Sequence, residues 1–226
     1  MIERVTPMEV YQQLLGHYGE QGWWPADTAF EMMVGAILTQ NTSWTNVEKA
    51  LHNLREAEVL DVQGLATCHK ESLEKWLRPA GFFRQKSQRL LELCHFYLER
   101  GGIEGMRRWP MKSLRARLLD VHGVGPETAD SILLYGIEKP IFVVDSYTKR
   151  TFHRLGILPE TISEYDAVQH FFQQRISSTL VVYKELHALI VTHAKAHCRS
   201  KPQCHDCPLL KHCVYGLKAQ AGDDVG

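Results

Sequence analysis

The chain has 226 residues, 44% of them hydrophobic and 23% charged, with 26 basic residues balanced by 26 acidic ones. That length and apolar content suffice for one domain or two small ones with a real core, and exclude a chain disordered throughout. No run of eighteen apolar residues occurs, which excludes a transmembrane helix, and the charged, amphipathic N-terminus lacks the apolar stretch of a signal peptide, so a cytoplasmic protein is expected.

The elements are read in chain order. Residues 5–19 carry apolar side chains at helical period (Val5, Met8, Tyr11, Leu14, Leu15), and Gly22-Trp23-Trp24-Pro25 ends that helix. Asp27 or Thr28 caps the next one, AFEMMVGAILTQ. A polar loop, Asn41-Thr42-Ser43, precedes a helix over 44–57. Further helices are predicted over 71–78, 84–99 and 111–120, punctuated by Gly81, Gly101 with Gly102, and Pro110. Leu118 to Ile137 reads as helix, tight glycine turn, helix. The run Ile141 to Asp145 looks like a strand with nothing to pair with. Helices over 164–177 and 179–197 follow, and only the small, acidic tail from Ala219 is expected to lack order. The expected fold class is therefore all-α, with about ten short helices and no internal repeat.

Zero net charge supplies no overall pull towards nucleic acid. The basic residues are nevertheless grouped, at Arg84, Lys86 and Arg89, at Arg107, Arg108, Lys112, Arg115 and Arg117, and at Lys149, Arg150 and Arg154. Ordinary solvated helix faces look the same. A phosphate-binding element needs less charge. Gly123-Val124-Gly125 sits between two apolar helical runs, and glycines let the backbone approach a ligand. Backbone N–H groups at the following helix start, reinforced by its dipole, can hold a phosphate oxygen. The bland alternative is a plain inter-helix turn. Val121 before the glycines and Thr128-Ala129 after them give the pattern of a helix-hairpin-helix element of DNA-binding proteins.

Of six cysteines, Cys68 and Cys94 stand apart, while Cys198, Cys204, Cys207 and Cys213 form C-x5-C-x2-C-x5-C. Four thiols so close together in a reducing compartment indicate a metal site rather than disulfides. Zinc knuckles usually pair two C-x-x-C units, whereas one compact loop with Pro208 after Cys207 suits an iron–sulfur cluster better. The spacing leaves both metals open. His197, His205 and His212 lie close enough in sequence to replace a thiol.

Three features stand in a fixed order: the hairpin at 123–125, the apolar run ending in Asp145, and the four-cysteine loop. With Gly35 to Ser43 (GAILTQNTS), they resemble the endonuclease III superfamily of DNA glycosylases over roughly residues 26–213. Within it, Trp23-Trp24-Pro25, Trp44, Gly125 to Leu133 (GPETADSIL), Val144-Asp145-Ser146-Tyr147 and Tyr165 to Phe172 resemble the endonuclease III-like 3-methyladenine DNA glycosylases. The resemblance implies two helical domains with DNA between them. One is a six-helix barrel over 26–135 containing the hairpin. The other joins 1–25 to 136–226 and carries the cluster. It also implies a [4Fe–4S] cluster on Cys198, Cys204, Cys207 and Cys213, although the family's first spacer is one residue longer than here.

The resemblance assigns Asp145 as the catalytic carboxylate, where residue type alone reads as a helix N-cap. A carboxylate near C1′ stabilises the cation that forms as an N-glycosidic bond breaks. Trp23, Trp24, Pro25, Trp44 and Glu127 would line a base pocket, because a flipped base stacks on aromatic faces and an alkylated, cationic purine favours an indole. Bifunctional relatives place a Schiff-base lysine at the position of Glu127, and a glutamate cannot attack in that way. Gln40 would fill the gap left by the flipped nucleotide. Gly123, Gly125, Thr128 and Lys149 would meet the backbone, with Lys86 and Arg150 as further phosphate partners. The expectation is a monomeric, monofunctional glycosylase in the cytoplasm, associated with the nucleoid, that removes alkylated purines such as 3-methyladenine from double-stranded DNA, with no membrane partner. Alternatives are a glycosylase for mismatched or deaminated thymine, uracil or adenine, and a non-catalytic cluster-bearing DNA-binding module.

Overall fold

The structure is a computed structural model that describes residues 5–222. The chain divides into two compact units, one joining Met1–Trp23 to Pro140–Gly226 and the other formed by Trp24–Lys139. All regular structure among the described residues is helical. Val5 lies just outside the first helix, and residues 223–226 of the expected tail lie outside the described part.

The first unit opens with α1 (Pro7–Tyr18). Thr6 and Glu9 form a reciprocal capping box, and Pro7 occupies the first turn where no N–H is required. Its inner face is Val10 and Leu14, both fully buried.

The second unit begins with α2 (Ala29–Leu38), capped by Thr28 rather than Asp27. Every residue from Phe30 to Leu38 is buried, so this helix is apolar all round and serves as the unit's core. Its one acid, Glu31, is paired with Arg55. Around it lie α3 (Trp44–Glu56), α4 (Val62–Thr67), α5 (Lys70–Trp76), a 3-10 turn at Arg78–Ala80 and α6 (Phe83–Glu99). Then come α7 (Gly102–Arg108), α8 (Met111–Leu119) and α9 (Pro126–Ser131). The ladder of α9 slips into a single π turn over Ile132–Gly136, where the Ile137 N–H reaches back to the Ile132 carbonyl at 2.9 Å. α4 and α7 are short and were not legible in the sequence.

Lys86 is not a phosphate ligand. Its side chain is 1% exposed, and its ammonium donates to the carbonyls of Leu38 and Ala80, both at 2.8 Å, and to Thr42 Oγ1 at 3.1 Å. It thus satisfies the open C-terminal carbonyl of α2 and ties the 39–43 loop to the 3-10 turn. Burial, and secondarily Arg89, push its pKa down to about 8. Lys86→Met is expected to lower stability by about 2–4 kcal/mol, because two buried carbonyls lose their donor. The unfolded lysine keeps its proton up to its ordinary 10.5, whereas the folded one releases it near 8. Between those values the unfolded chain binds more protons. Wild type should therefore gain stability relative to the methionine variant as pH rises from about 8 to about 10. Denaturant unfolding of both proteins across that range checks both expectations.

The chain returns to the first unit with α10 (Ser146–Leu155), α11 (Tyr165–Gln173), α12 (Leu180–Ala196), a 3-10 turn at Leu210–His212 and α13 (Val214–Ala221). α12 packs against α1 and α10. The strand-like run Ile141–Val144 is buried but pairs with no strand among the described residues. Side chains of α11 serve its backbone instead. The Phe142 N–H donates to Gln173 Oε1 at 3.1 Å, Gln169 donates to the Phe142 carbonyl at 2.6 Å, and the Val144 N–H donates to the Tyr165 hydroxyl at 3.3 Å. A buried extended segment needs such partners, and a sheet is only one way to supply them. Ala219 to Ala221, expected to be disordered, close α13.

Candidate active site and DNA-contacting elements

Asp145 ends the buried run and caps α10. Its Oδ1 accepts the Thr148 N–H at 2.6 Å and the Thr148 hydroxyl at 2.8 Å. Its Oδ2 faces His187 Nε2 at 3.7 Å. The carboxylate is 8% exposed. Burial pushes its pKa up, but His187 and the Thr148 N–H and hydroxyl outweigh burial and hold it below the ordinary carboxylate value. Asp145 is therefore an anion at neutral pH with one oxygen spent on structure. In the same unit the Trp23 indole stacks on the His187 imidazole, with centroids 5.5 Å apart and planes at 16°.

Trp24 and Trp44 belong to the second unit. Trp24 meets Trp44 edge-on at 5.5 Å and Tyr135 at 5.5 Å. A side chain on Gly35 would place its Cβ 3.2 Å from Trp24 Nε1, so this glycine makes room for the indole. Trp44 donates from Nε1 to Glu48 Oε1 at 2.8 Å. Pro25 is exposed and Trp44 half-buried.

The hairpin at 123–125 is built for Gly123. Its φ is +82°, and a Cβ there would fall within 2.5 Å of the Arg89 side chain. Gly125 is exposed, with open space where a Cβ would stand, and Pro126 starts α9. α8 and α9 are tied by a two-point ion pair, Arg115 Nε to Asp130 Oδ1 at 2.7 Å and Nη2 to Oδ2 at 3.1 Å, with Asp130 fully buried. Thr128 is buried rather than presented to a ligand.

Gln40 was expected against DNA, but its amide is engaged inside the protein. Nε2 donates to the Gly123 carbonyl at 2.9 Å and to Thr128 Oγ1 at 3.0 Å, and Oε1 accepts from Arg89. It braces the hairpin, and in this conformation it has no donor to offer a base. Lys149 likewise donates to the Ser163 carbonyl, at 2.5 Å. Glu127 is exposed in the first turn of α9. Sequence reading missed Phe82, which sits in the left-handed region at φ +44° and is 62% exposed. A phenylalanine held to solvent at positive φ is costly both sterically and by hydration. Its only sequence signal is the unusual Gly81-Phe82 start of a helix.

Cys198, Cys204, Cys207 and Cys213 line one small cavity, partly open to solvent, together with Arg154, His193, His197 and Tyr215. Among the described residues no three Cys, His, Asp or Glu side chains converge as ligands of a single ion. The four thiols nevertheless line the same cavity. Donors address the sulfurs: the Gly216 N–H to Cys213 Sγ at 3.3 Å and Arg154 Nη1 to Cys198 Sγ at 3.5 Å, with His193 Nε2 3.8 Å from Cys207 Sγ. Burial pushes the Cys207 thiol up to about 11 and raises Cys204 and Cys213 as well. Thiolates at these positions therefore call for cationic charge in the cavity. Of the three histidines considered as substitute ligands, His197 lines the cavity, His212 is buried against Gln13 and His205 is exposed.

Comparison with known proteins gives this arrangement a context. Residues 34–178 match the family described as HhH-GPD superfamily base excision DNA repair protein. A Methanocaldococcus jannaschii protein, assigned by inference to the DNA repair glycosylases, is 46% identical over 209 residues, covering 91% of this chain and 94% of its own length. Endonuclease III of Thermotoga maritima is 28% identical over 195 residues and covers 86% of each chain. Among solved structures, the 3-methyladenine DNA glycosylase of H. pylori bound to 1,N6-ethenoadenine superposes with a TM-score of 0.74 at 31% identity, over 85% of this chain and 98% of its own. An endonuclease III–DNA complex superposes at 0.81 with 22% identity, a likeness of fold. The chain belongs to the HhH-GPD superfamily of base excision DNA repair proteins.

Proposed function

We propose that this protein is a monofunctional DNA glycosylase that hydrolyses the N-glycosidic bond of alkylated purines such as 3-methyladenine in double-stranded DNA. The observation that carries the reading is Asp145, a buried carboxylate kept ionised by Thr148 and His187, with Trp23 stacked against the same histidine. As the base departs with the bonding electron pair, positive charge builds on the sugar. A fixed anion in a poorly solvated site stabilises that charge without reorganising. Water, oriented by Asp145, then forms the new bond to C1′ and releases its proton to bulk solvent. N3-methylation makes adenine cationic and therefore a neutral leaving group, so no strong acid is required at the base. The Trp23 indole, and in the other unit the indoles of Trp24 and Trp44, are each of a type that suits stacking against such a base.

Glu127 stands where the resemblance places a lysine in strand-cleaving relatives, and a carboxylate cannot form a Schiff base. Lys149, held on the Ser163 carbonyl, is not offered as a substitute. Gly123 and Gly125 would bring backbone N–H groups to a phosphate. Phe82 has the character of an apolar wedge that enters the stack as a nucleotide leaves it. Cys198, Cys204, Cys207 and Cys213 would hold a [4Fe–4S] cluster, joining the end of α12 to the start of α13. When bound, that cluster supplies structural cross-linking, and no step of base release runs through it. The protein would act as a monomer.

The test is incubation with randomly methylated duplex DNA, followed by chromatography of the free bases. Release of 3-methyladenine is expected. Release of uracil or mismatched thymine from matching duplexes, with methylated purines untouched, would replace the alkylpurine reading. Tight binding with no base released would replace the enzyme by a binding module.

A further inference from the structure

Trp23 lies in an irregular segment between α1 and α2, so no helix of its own fixes its indole. The segment is docked on α12 instead. The Gln21 N–H donates to Glu185, and the Thr192 hydroxyl donates to Gln21 Oε1 at 2.7 Å. His187 lies between these two anchors in the sequence of α12. It is 4% exposed, flanked by the buried Leu186, Leu189 and Ile190, and its place is set by a helix that packs on two others. This imidazole stacks on Trp23 at 5.5 Å with one face and approaches Asp145 Oδ2 to 3.7 Å with Nε2. Thr148 holds Asp145 Oδ1, and the imidazole edge stands beside Oδ2 at ion-pair rather than hydrogen-bond distance, so it bears on the carboxylate through its charge and bulk. A buried histidine on an apolar helix face is usually only core. Here one ring touches both a candidate base-stacking surface and the candidate catalytic anion.

We propose that His187 is a positioning residue that sets the Trp23 stacking face and the Asp145 carboxylate in register, so that a base held on Trp23 presents its glycosidic bond to the anion. The proposal rests on the reading of Asp145 and Trp23 given above. It makes two functions of one ring separable. His187→Phe keeps a flat face for Trp23 and removes the polar edge towards Asp145. His187→Gln keeps a donor towards Asp145 and removes the flat face.

Single-turnover base release from methylated duplex DNA is measured against protein concentration, giving a maximal rate and a half-saturation concentration. His187→Phe is expected to lose about 100-fold in rate with half-saturation within about twofold of wild type. His187→Gln is expected to keep its rate within about fivefold and to raise half-saturation about tenfold. Equal losses in both parameters for both variants, or wild-type behaviour in both, would overturn the proposal. Asp145→Asn runs alongside. If it keeps the wild-type rate, the catalytic reading itself fails and the proposal falls with it. If it is inactive while the two histidine variants show no split, only the proposal fails. Should either histidine variant unfold, the imidazole signals of His187 in wild type, Trp23→Leu and Asp145→Asn decide the matter by nuclear magnetic resonance. Each substitution is expected to shift them, and signals unmoved by both contradict the proposal.

Discussion

Asp145→Asn is expected to abolish base release, by about 10³-fold or more, while leaving the fold and DNA binding intact. The asymmetry of the two carboxylate oxygens makes this a clean substitution. Oδ1 serves as the N-cap of α10 through Thr148, and an asparagine oxygen can accept the same N–H. The charge opposite the developing cation disappears, but the cap remains. Asp145→Ala should be equally inactive and also less stable, by about 1 kcal/mol, because it loses the cap. Thermal unfolding together with base release separates the two effects. The pH dependence follows from the depressed pKa of Asp145, which places its loss of charge below the ordinary 3.8. Its contribution to stability is present above the unfolded value and lost as pH falls through the lower folded one. Activity should therefore show no acid limb from Asp145 in the range where exposed carboxylates titrate.

Cys207→Ala should remove bound iron entirely and lower the stability of the first unit by several kcal/mol, about 3 or more. The cysteine loop runs from the end of α12 to Cys213, whose sulfur accepts the Gly216 N–H in the first turn of α13. On the proposed reading, a chain without the cluster leaves these thiols and the donors near them without the charge that would offset their burial. Iron and sulfide analysis, visible absorption and thermal unfolding of wild type and variant are the measurements. About four irons per wild-type chain are expected and none in the variant. One zinc per wild-type chain would keep the four-cysteine site and discard the cluster. Base release by any folded, iron-free variant should persist, since no step of the chemistry depends on the cluster.

Much of this molecule was legible in its sequence because the signals were local. The cap of α2, offered as Asp27 or Thr28, and the helical periods of α1, α3, α6 and α12 depend on neighbours a few residues away. The glycines of the hairpin and the cysteine spacing are local too. What the sequence withheld depends on long-range company. Lys86 reads as a solvated charge on α6, and only the folded chain brings Leu38 and Ala80 carbonyls to it. Gln40 reads as a loop amide free to meet a base, until Gly123 and Thr128, more than eighty residues on, claim its donors. Ile141–Val144 reads as a strand because its pattern is that of a buried extended segment. The side chains of α11 that satisfy it are invisible at that point of the chain. His187 looks like any histidine in an apolar helix. Its contact with Asp145 is forty-two residues distant, and no period or motif announces it. The sequence thus offers candidate residue types for the site and gives no sign of the side chains that support them.

The most direct test of the central claim uses a strand-labelled duplex carrying one alkylated adenine, incubated with the protein and resolved before and after alkali. A hydrolytic glycosylase with Glu127 in place of an amine nucleophile leaves an intact strand that breaks only on alkaline treatment, and borohydride traps no covalent complex. Strand breaks without alkali, together with a borohydride-trapped adduct, would contradict the account and reveal an amine that attacks C1′.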